Sequence, residues 1–280
     1  MYDICIIGPI TKDIIVTKEK VVQKTGGVVY YSSLTAKKFN LKVCVITKTK
    51  EEDKYLIEEL KEKGIDVFWK ESKGTMTFKN IYKENVDERI QEVTEISDPF
   101  DIKDINVKAK IYYFGPLLNT DIPLEIYEKI KREDNIVVLD IQGHLRHLEG
   151  SRVVLRPLKD LSFLEYIDIL KTNEEEIRIL SGEKDIIEGG KKIAKYVKEL
   201  LITLGSKGSI IISENKVYKI PVFKPRKITD PTGSGDIYTA TYVCMRYKGF
   251  PIESSGLFAS ILSGLNVEKE GFNVPIEIEF

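Results

Sequence analysis

Thr229-Asp230-Pro231-Thr232-Gly233-Ser234-Gly235-Asp236 is the stretch on which the reading of this 280-residue chain turns. Two glycines flank a serine, a carboxylate follows, and Ile237 to Lys248 continues with a helical pattern. Glycine has no Cβ to hold a ligand off, so the backbone N–H groups of Gly233, Ser234 and Gly235 can come close to an anion. The N-terminus of the helix behind them adds partial positive charge at the same place. Asp236 repels that anion, unless it is there to take a proton from an attacking hydroxyl. The octet therefore reads as a phosphoryl-transfer site. The same residues also make an ordinary helix start, with capping hydroxyls and an acid in the first turn. Taken alone, the octet leaves both readings standing.

The rest of the chain sets bounds. Its length suits one large domain, and a hydrophobic fraction of 42% is ample for a core. Charged residues reach 31% but balance to a net charge of −1, so no basic stripe argues for nucleic acid. Cys5, Cys44 and Cys244 are odd in number and far apart, which fits buried free thiols in a reducing compartment. The opening MYDICIIG runs straight into a strand pattern without signal-peptide features, and no apolar run is long enough to span a bilayer. A cytoplasmic protein is expected. The abundance of Lys, Glu and Ile, with few His and Met, is a compositional pattern of heat-adapted proteins.

Moving outward from the octet, β-rich runs alternate with helical patterns. Asp3–Gly8, Lys42–Thr47, Ile111–Gly115, Ile136–Asp140, Ile167–Leu170 and Leu201–Leu204 read as strands. Val28–Phe39, Glu51–Lys63, Ile122–Lys131, Glu174–Leu180 and Ile186–Lys198 carry apolar residues at helical spacing. This alternation predicts an α/β fold: a Rossmann-like, mostly parallel sheet flanked by helices, with ligands beyond the carboxyl ends of its strands. Thr75–Tyr82 and Arg89–Ile96 instead alternate apolar and polar residues around a turn-like KENVDE, and Ile14–Gln23 has the same two-faced look. These segments predict a small β-sheet set apart from the main one.

Several chemistries are absent. There is no G-x-x-x-x-G-K-[ST], and no G-x-G-x-x-G follows the first strand. His144 and His147 are the only histidines, and with no cysteine pair at zinc spacing a His/Cys metal centre is excluded. Both flank Arg146 in what reads as a solvated loop. Gly26-Gly27 precedes a helix containing Tyr30, Tyr31, Ser32 and Ser33, where bare backbone and hydroxyls could receive a polyhydroxy ligand, although a glycine pair is also a plain turn. Asn173 and Glu176 fit a helix N-cap with its capping box, and equally a phosphate and hydrated Mg²⁺ site. Thr203-Leu204-Gly205-Ser206-Lys207-Gly208 reads as a strand–turn–strand whose polar turn could grip a nucleotide.

In this order, Gly8, Asp13, Gly26-Gly27, the two-faced hairpin, Asp140, Asn173-x-x-Glu176, Thr203-Leu204-Gly205 and Asp230–Asp236 resemble the ribokinase-like (PfkB) carbohydrate kinases nearly end to end. The last motif has that family's form D-x-T-G-[AS]-G-D. The resemblance implies one kinase domain over residues 1–280, with lid strands from about 14–23 and 75–96. It implies Asp236 as catalytic base, the amides of Gly233, Ser234 and Gly235 as an anion hole, and Asn173 with Glu176 as the phosphate and Mg²⁺ motif. It places Thr203, Gly205, Gly208 and Gly235 on the donor ATP, and Asp13, Gly26, Gly27, Tyr30, Arg146 and Asp236 around the acceptor. A monovalent cation beside Asp230 and a monomer or lid-mediated homodimer are implied as well.

The acceptor is less determined. Val28, Val29, Tyr30 and Tyr31 stand where ribokinase-type members carry Asn, and Asp140 is followed by Ile141-Gln142-Gly143-His144-Leu145-Arg146 in place of D-x-N-x-R. The tyrosine pair and this string resemble inositol-kinase-like members, which favours a myo-inositol-like cyclitol. The alternatives are a nucleoside kinase, with an aromatic such as Trp69 stacking the base, and a nucleotide-binding protein without catalysis. Whether the donor is ATP or ADP stays open at this level. No nucleic-acid or membrane partner is expected.

Overall fold

The computed structural model of the chain describes residues 1–16, 21–82 and 89–274. Strands β1 (Tyr2–Ile7), β2 (Thr11–Val16) and β3 (Val21–Gly26) lead into helix α1 (Val28–Lys38) and β4 (Val43–Thr49). A 3₁₀ segment runs into α2 (Glu58–Glu62), followed by β5 (Asp66–Glu71), β6 (Thr77–Tyr82), β7 (Arg89–Glu95) and β8 (Ala109–Phe114). Then come α3 (Glu125–Ile130), β9 (Ile136–Asp140), α4 (Gln142–Leu145), β10 (Arg146–Glu149), β11 (Arg152–Leu155), β12 (Ile169–Asn173), α5 (Glu174–Ser181) and α6 (Ile186–Ile193). β13 (Glu199–Thr203), β14 (Ser209–Ser213), β15 (Lys216–Ile220), α7 (Ser234–Tyr247) and α8 (Ile252–Asn266) complete the order.

Two sheets result among the described residues. The larger runs β15-β14-β13-β12-β9-β8-β1-β4-β5, with the strands from β5 to β13 paired in parallel and β14 and β15 added antiparallel. Its central strand shows why it forms. In β1, Ile4 and Ile6 join one buried cluster with α1, α7 and α8, while Cys5 and Ile7 join another with α3, α5 and α6. A strand covered on both faces must be apolar along its buried length, which is how Ile4-Cys5-Ile6-Ile7 reads. The smaller sheet, β10-β11-β7-β6-β2-β3, holds the alternating segments, all antiparallel except β2 with β6. The turn expected at residues 83–88 and the stretch 17–20 lie outside the described residues.

Three local corrections follow. The residues around Arg146 are not a solvated loop: His144 lies in α4, is 2% exposed and meets the Tyr127 hydroxyl at 2.5 Å. Burial pushes its pKa down to about 3, so it is a neutral core residue. The segment Glu51–Lys63 begins as a 3₁₀ helix over Glu51–Ile57 and turns α-helical only at Glu58. Strand β15 and the long helix α8 were not among the elements expected from the sequence.

The carboxyl ends of the parallel strands are brought together by close packing at glycines. A Cβ on Gly115, just past β8, would fall 2.4 Å from Val28 Cβ at the start of α1, so only glycine lets that helix seat. At the other end of the sheet α7 is pinned: Arg246 forks onto Glu199 of β13 at 2.6 and 3.0 Å, and Tyr242 donates to the same carboxylate at 2.6 Å. Gly115→Ala is expected to cost about 1–3 kcal/mol by overpacking. In urea unfolding of the two single variants and the double variant, Val28→Ala should couple with it by about 1 kcal/mol or more; additive losses would show that the two side chains do not meet.

Candidate active site

The carboxyl ends of β9 and β12, the start of α5 and the start of α7 converge on one buried lysine. Lys171 is the register partner of Asp140 across β12 and β9, is 6% exposed, and forms an ion pair with Asp140 at 3.0 Å and with Glu176 at 4.0 Å. Burial alone would strip its proton, but Asp140, then Glu176 and Asp236, outweigh it and hold the ammonium above lysine's ordinary range. Its Cε and Nζ lie 3.7 Å from where a Gly235 side chain would begin, so the charge stands directly against the first turn of α7. The sequence reading did not single out Lys171. The signal was a lone cation in an otherwise apolar strand, where an unpaired charge is costly and a partnered one is placed for a reason.

Gly233 caps α7 with φ of 75°, a left-handed conformation, and the Tyr31 ring lies 2.4 Å from where its Cβ would sit. The first-turn amides of a helix have no carbonyl of that helix to bond. Here the Ser234 amide donates to the Pro231 carbonyl at 3.2 Å, so of the three amides expected to face an anion, that of Ser234 is already bonded within the turn. The turn is braced throughout. Thr239 donates to the Gly235 carbonyl at 2.9 Å, Ser263 to that of Ser234 at 2.9 Å, and the Asp230 carboxylate accepts from the Thr232 amide at 3.0 Å.

Asp236 faces a cavity of about 120 Å³ between the two sheets. Burial, then repulsion from Asp140, raises its pKa from 3.8 to about 7, against the opposing pull of Lys171 and Arg146. The cavity brings together Asp13, Gly27, Arg146 and Asp236 with Lys24, Tyr31, Asn80, Gln91 and Gln142, the last five not assigned from sequence. Asn80 of β6 and Gln91 of β7 are linked at 3.0 Å and present an amide pair from the smaller sheet. Gly26 makes room for Asp13, whose carboxylate lies 2.3 Å from where a Cβ would be. Gly27, at φ 91°, starts α1. The tyrosine in the cavity is Tyr31; Tyr30, expected on the acceptor, turns away and donates to Glu59 at 2.7 Å.

Asn173 and Glu176 form a complete capping box. The Asn173 side chain accepts from the Glu176 amide at 2.8 Å, and the Glu176 carboxylate accepts from the Asn173 amide at 2.8 Å. Thr203 pairs in register with Asn173, which puts Gly205 and Gly208 beside the start of α5, where Lys207 meets Glu174 at 3.1 Å. Trp69 is distant from this chemistry: it donates to Thr49 at 2.8 Å and its ring is covered by the Lys54 ammonium at 3.9 Å. Among the described residues no cluster of three or more His, Cys, Asp or Glu could hold a metal ion by itself.

The pfkB family carbohydrate kinase model matches residues 1–279. A nucleoside kinase of Methanocaldococcus jannaschii is 33% identical over 115 residues, which is 40% of this chain and 36% of that protein. A ribokinase of Lactococcus lactis is 26% identical over 159 residues, 52% of each, so the alignments span about a third to a half of the length of these relatives. A pyrophosphate-dependent kinase in the ribokinase family, complexed with a pyrophosphate analog and myo-inositol, superimposes with a TM-score of 0.87 at 25% identity over 96% of each chain. Sheet order, the glycine turn at the start of α7 and a family match over all but the last residue agree: this chain belongs to the pfkB family of carbohydrate kinases.

Proposed function

We propose that this chain transfers a phosphoryl group from a phosphoanhydride donor to a hydroxyl of a small cyclic polyol, with a myo-inositol-like cyclitol as the favoured acceptor. The observation that carries this reading is the cavity of about 120 Å³ in which Asp236 stands among polar side chains, with Ile15, Val28, Tyr31, Phe78 and Leu117 completing the wall. Asp13, Lys24, Asn80, Gln91, Gln142 and Arg146 offer donors and acceptors on several sides. A polyol satisfies the polar part of this lining with its hydroxyls; Tyr31 and Phe78 are the rings on which a nucleoside base would stack, and a cavity of about 120 Å³ suits a single ring better than a base with its sugar. The neighbour crystallised with myo-inositol supports the same acceptor class.

In this mechanism Asp236 takes the proton of the attacking hydroxyl. A carboxylate poised near neutrality is matched to that task, and its raised pKa follows from burial and from Asp140. The amides of Gly235 and Asp236, with Lys171 beside them, stabilise charge on the phosphoryl group in transfer. Asn173, Thr203, Gly205 and Gly208 are placed to contact the donor. The hard carboxylates of Asp140 and Glu176 suit Mg²⁺, which would neutralise the donor phosphates when bound with them. The smaller sheet acts as a lid that keeps water from competing for the phosphoryl group. The donor carries a terminal diphosphate, shared by ATP and pyrophosphate; the second of these is the donor of the neighbour with 26% identity.

Assaying inositols, ketohexoses, ribose and nucleosides, each with ATP and with pyrophosphate, should give the highest kcat/KM on a cyclitol. Tight donor binding without turnover on any acceptor would favour a non-catalytic binding protein, and preference for a nucleoside would replace the acceptor assigned here. Asp236→Asn should lower kcat by roughly 10²–10⁴ while leaving donor affinity within a few-fold; near-normal turnover would remove Asp236 from the chemistry. The wild-type kcat/KM should rise about tenfold per pH unit up to about 7 and then level, since the ionised form acts as base. Stability runs the other way. The folded pKa lies above the unfolded value of 3.8, so this carboxylate weakens the fold progressively as pH rises from about 4 to about 7. At pH 8 the Asn variant should therefore melt roughly 2–6 °C higher than the wild type by calorimetry.

A further inference from the structure

Asp230 is a buried carboxylate at the root of the catalytic turn, and its charge is already answered from within the chain. It is 9% exposed, with Oδ1 accepting the Thr232 amide at 3.0 Å and Oδ2 receiving the Lys24 ammonium at 2.9 Å and the Gly271 amide at 3.5 Å. Lys24 comes from β3, more than two hundred residues away in sequence and on the smaller sheet. It is the register partner of Asp13 and borders the cavity together with Asp236. Its second anionic contact, Glu270, is 3.7 Å away and exposed, so Asp230 is the tighter partner.

The family resemblance implies a monovalent cation beside Asp230. The residues present do not suit one. An alkali ion held by this carboxylate would compete for the oxygen that accepts the ammonium at 2.9 Å, and two cations sharing that oxygen repel at short range. The remaining partners of Asp230, the Thr232 and Gly271 amides and the Thr232 hydroxyl, all donate to the carboxylate, so its charge is already answered by donors of the chain.

We propose that Lys24 is a built-in cation: the β3 ammonium supplies the charge that the Asp230 carboxylate requires, so the 230–236 turn is ordered without an alkali-metal ion and only while the smaller sheet is in place. Lys24 is thus a positioning residue. It acts on the catalytic turn through Asp230, which holds the Thr232 amide two residues ahead of the Ser234–Asp236 turn. The device also makes the order of the turn depend on a strand from the opposite wall of the cavity, which an ion drawn from solution would not do.

The test needs no substrate and so stands apart from the acceptor and donor assigned above. The melting temperature of the wild type is measured by calorimetry in potassium chloride, sodium chloride and choline chloride at one ionic strength, which holds screening constant. The wild type should melt within about 1 °C in all three. Lys24→Met leaves a buried carboxylate uncompensated and should melt roughly 3–8 °C lower in choline chloride. Potassium or sodium at 0.1 M should restore at least half of that loss by binding to the native state. Lys24→Arg, which keeps the charge, should stay close to the wild type and indifferent to the ion. A wild type that gains as much from potassium as Lys24→Met does would overturn the proposal, as would a Met variant that melts with the wild type. If Lys24→Met does not fold, a potassium-indifferent wild type and Arg variant still uphold it, and a potassium-stabilised wild type still sinks it.

Discussion

One buried ammonium organises the catalytic end of this molecule. Lys171 is 6% exposed, yet three carboxylates, Asp140, Glu176 and Asp236, draw on its charge. Each of them would be costly there alone. Because the lysine sits on β12, in register with Asp140 on β9 and three residues before the start of α5, the placement of three elements is expressed in one electrostatic cluster. Burial and the surplus of negative charge over positive make Asp236 hold its proton more tightly than an ordinary carboxylate, with its pKa near 7. The strands of the main sheet thus set the protonation of Asp236 without lining the cavity that it faces.

The smaller sheet has a different part. Its strands bring polar side chains, Asp13, Lys24, Asn80 and Gln91, over a cavity whose floor belongs to the main domain. The alternation that lets these strands stay solvated on one face is also what points a second set of side chains at the cavity. Capping chemistry is shared in a comparable way at α5. The Asn173–Glu176 box is satisfied as helix structure, and the same residues stand at the strand end where a donor phosphate is proposed to sit. Structural and functional readings of that motif therefore describe one arrangement.

Much of this was legible in the sequence. The alternation of β-rich and helical segments gave the parallel sheet, since strands buried on both faces are continuously apolar, and β9 matches its expected bounds of Ile136–Asp140. The octet at 229–236 pointed to the helix start, and Gly233 does cap α7 in the left-handed conformation. What escaped was whatever depends on side-chain direction over long sequence separation. Tyr30 and Tyr31 are adjacent, yet one faces Glu59 and the other the cavity, because successive helix positions point about 100° apart. Lys171 and Lys24 are invisible as site residues until β12 meets β9 and β3 meets the loop before α7. His144 was misplaced because Arg146 and His147 close by gave the segment a polar look that hid a turn of helix packed on Tyr127 and Phe163.

The foot of α7 carries a last implication. Glu199, Tyr242 and Arg246 clamp that helix at the amino end of the sheet, while its opposite tip carries Gly235 and Asp236. A helix of 14 residues spans roughly 21 Å and bends little, so it works as a rigid rod held at one end. Small rotations at the clamp become larger displacements of Gly235 and Asp236. Tolerance to sequence change should then be graded by leverage on the rod, with Glu199 more tightly constrained than many residues that lie nearer the cavity.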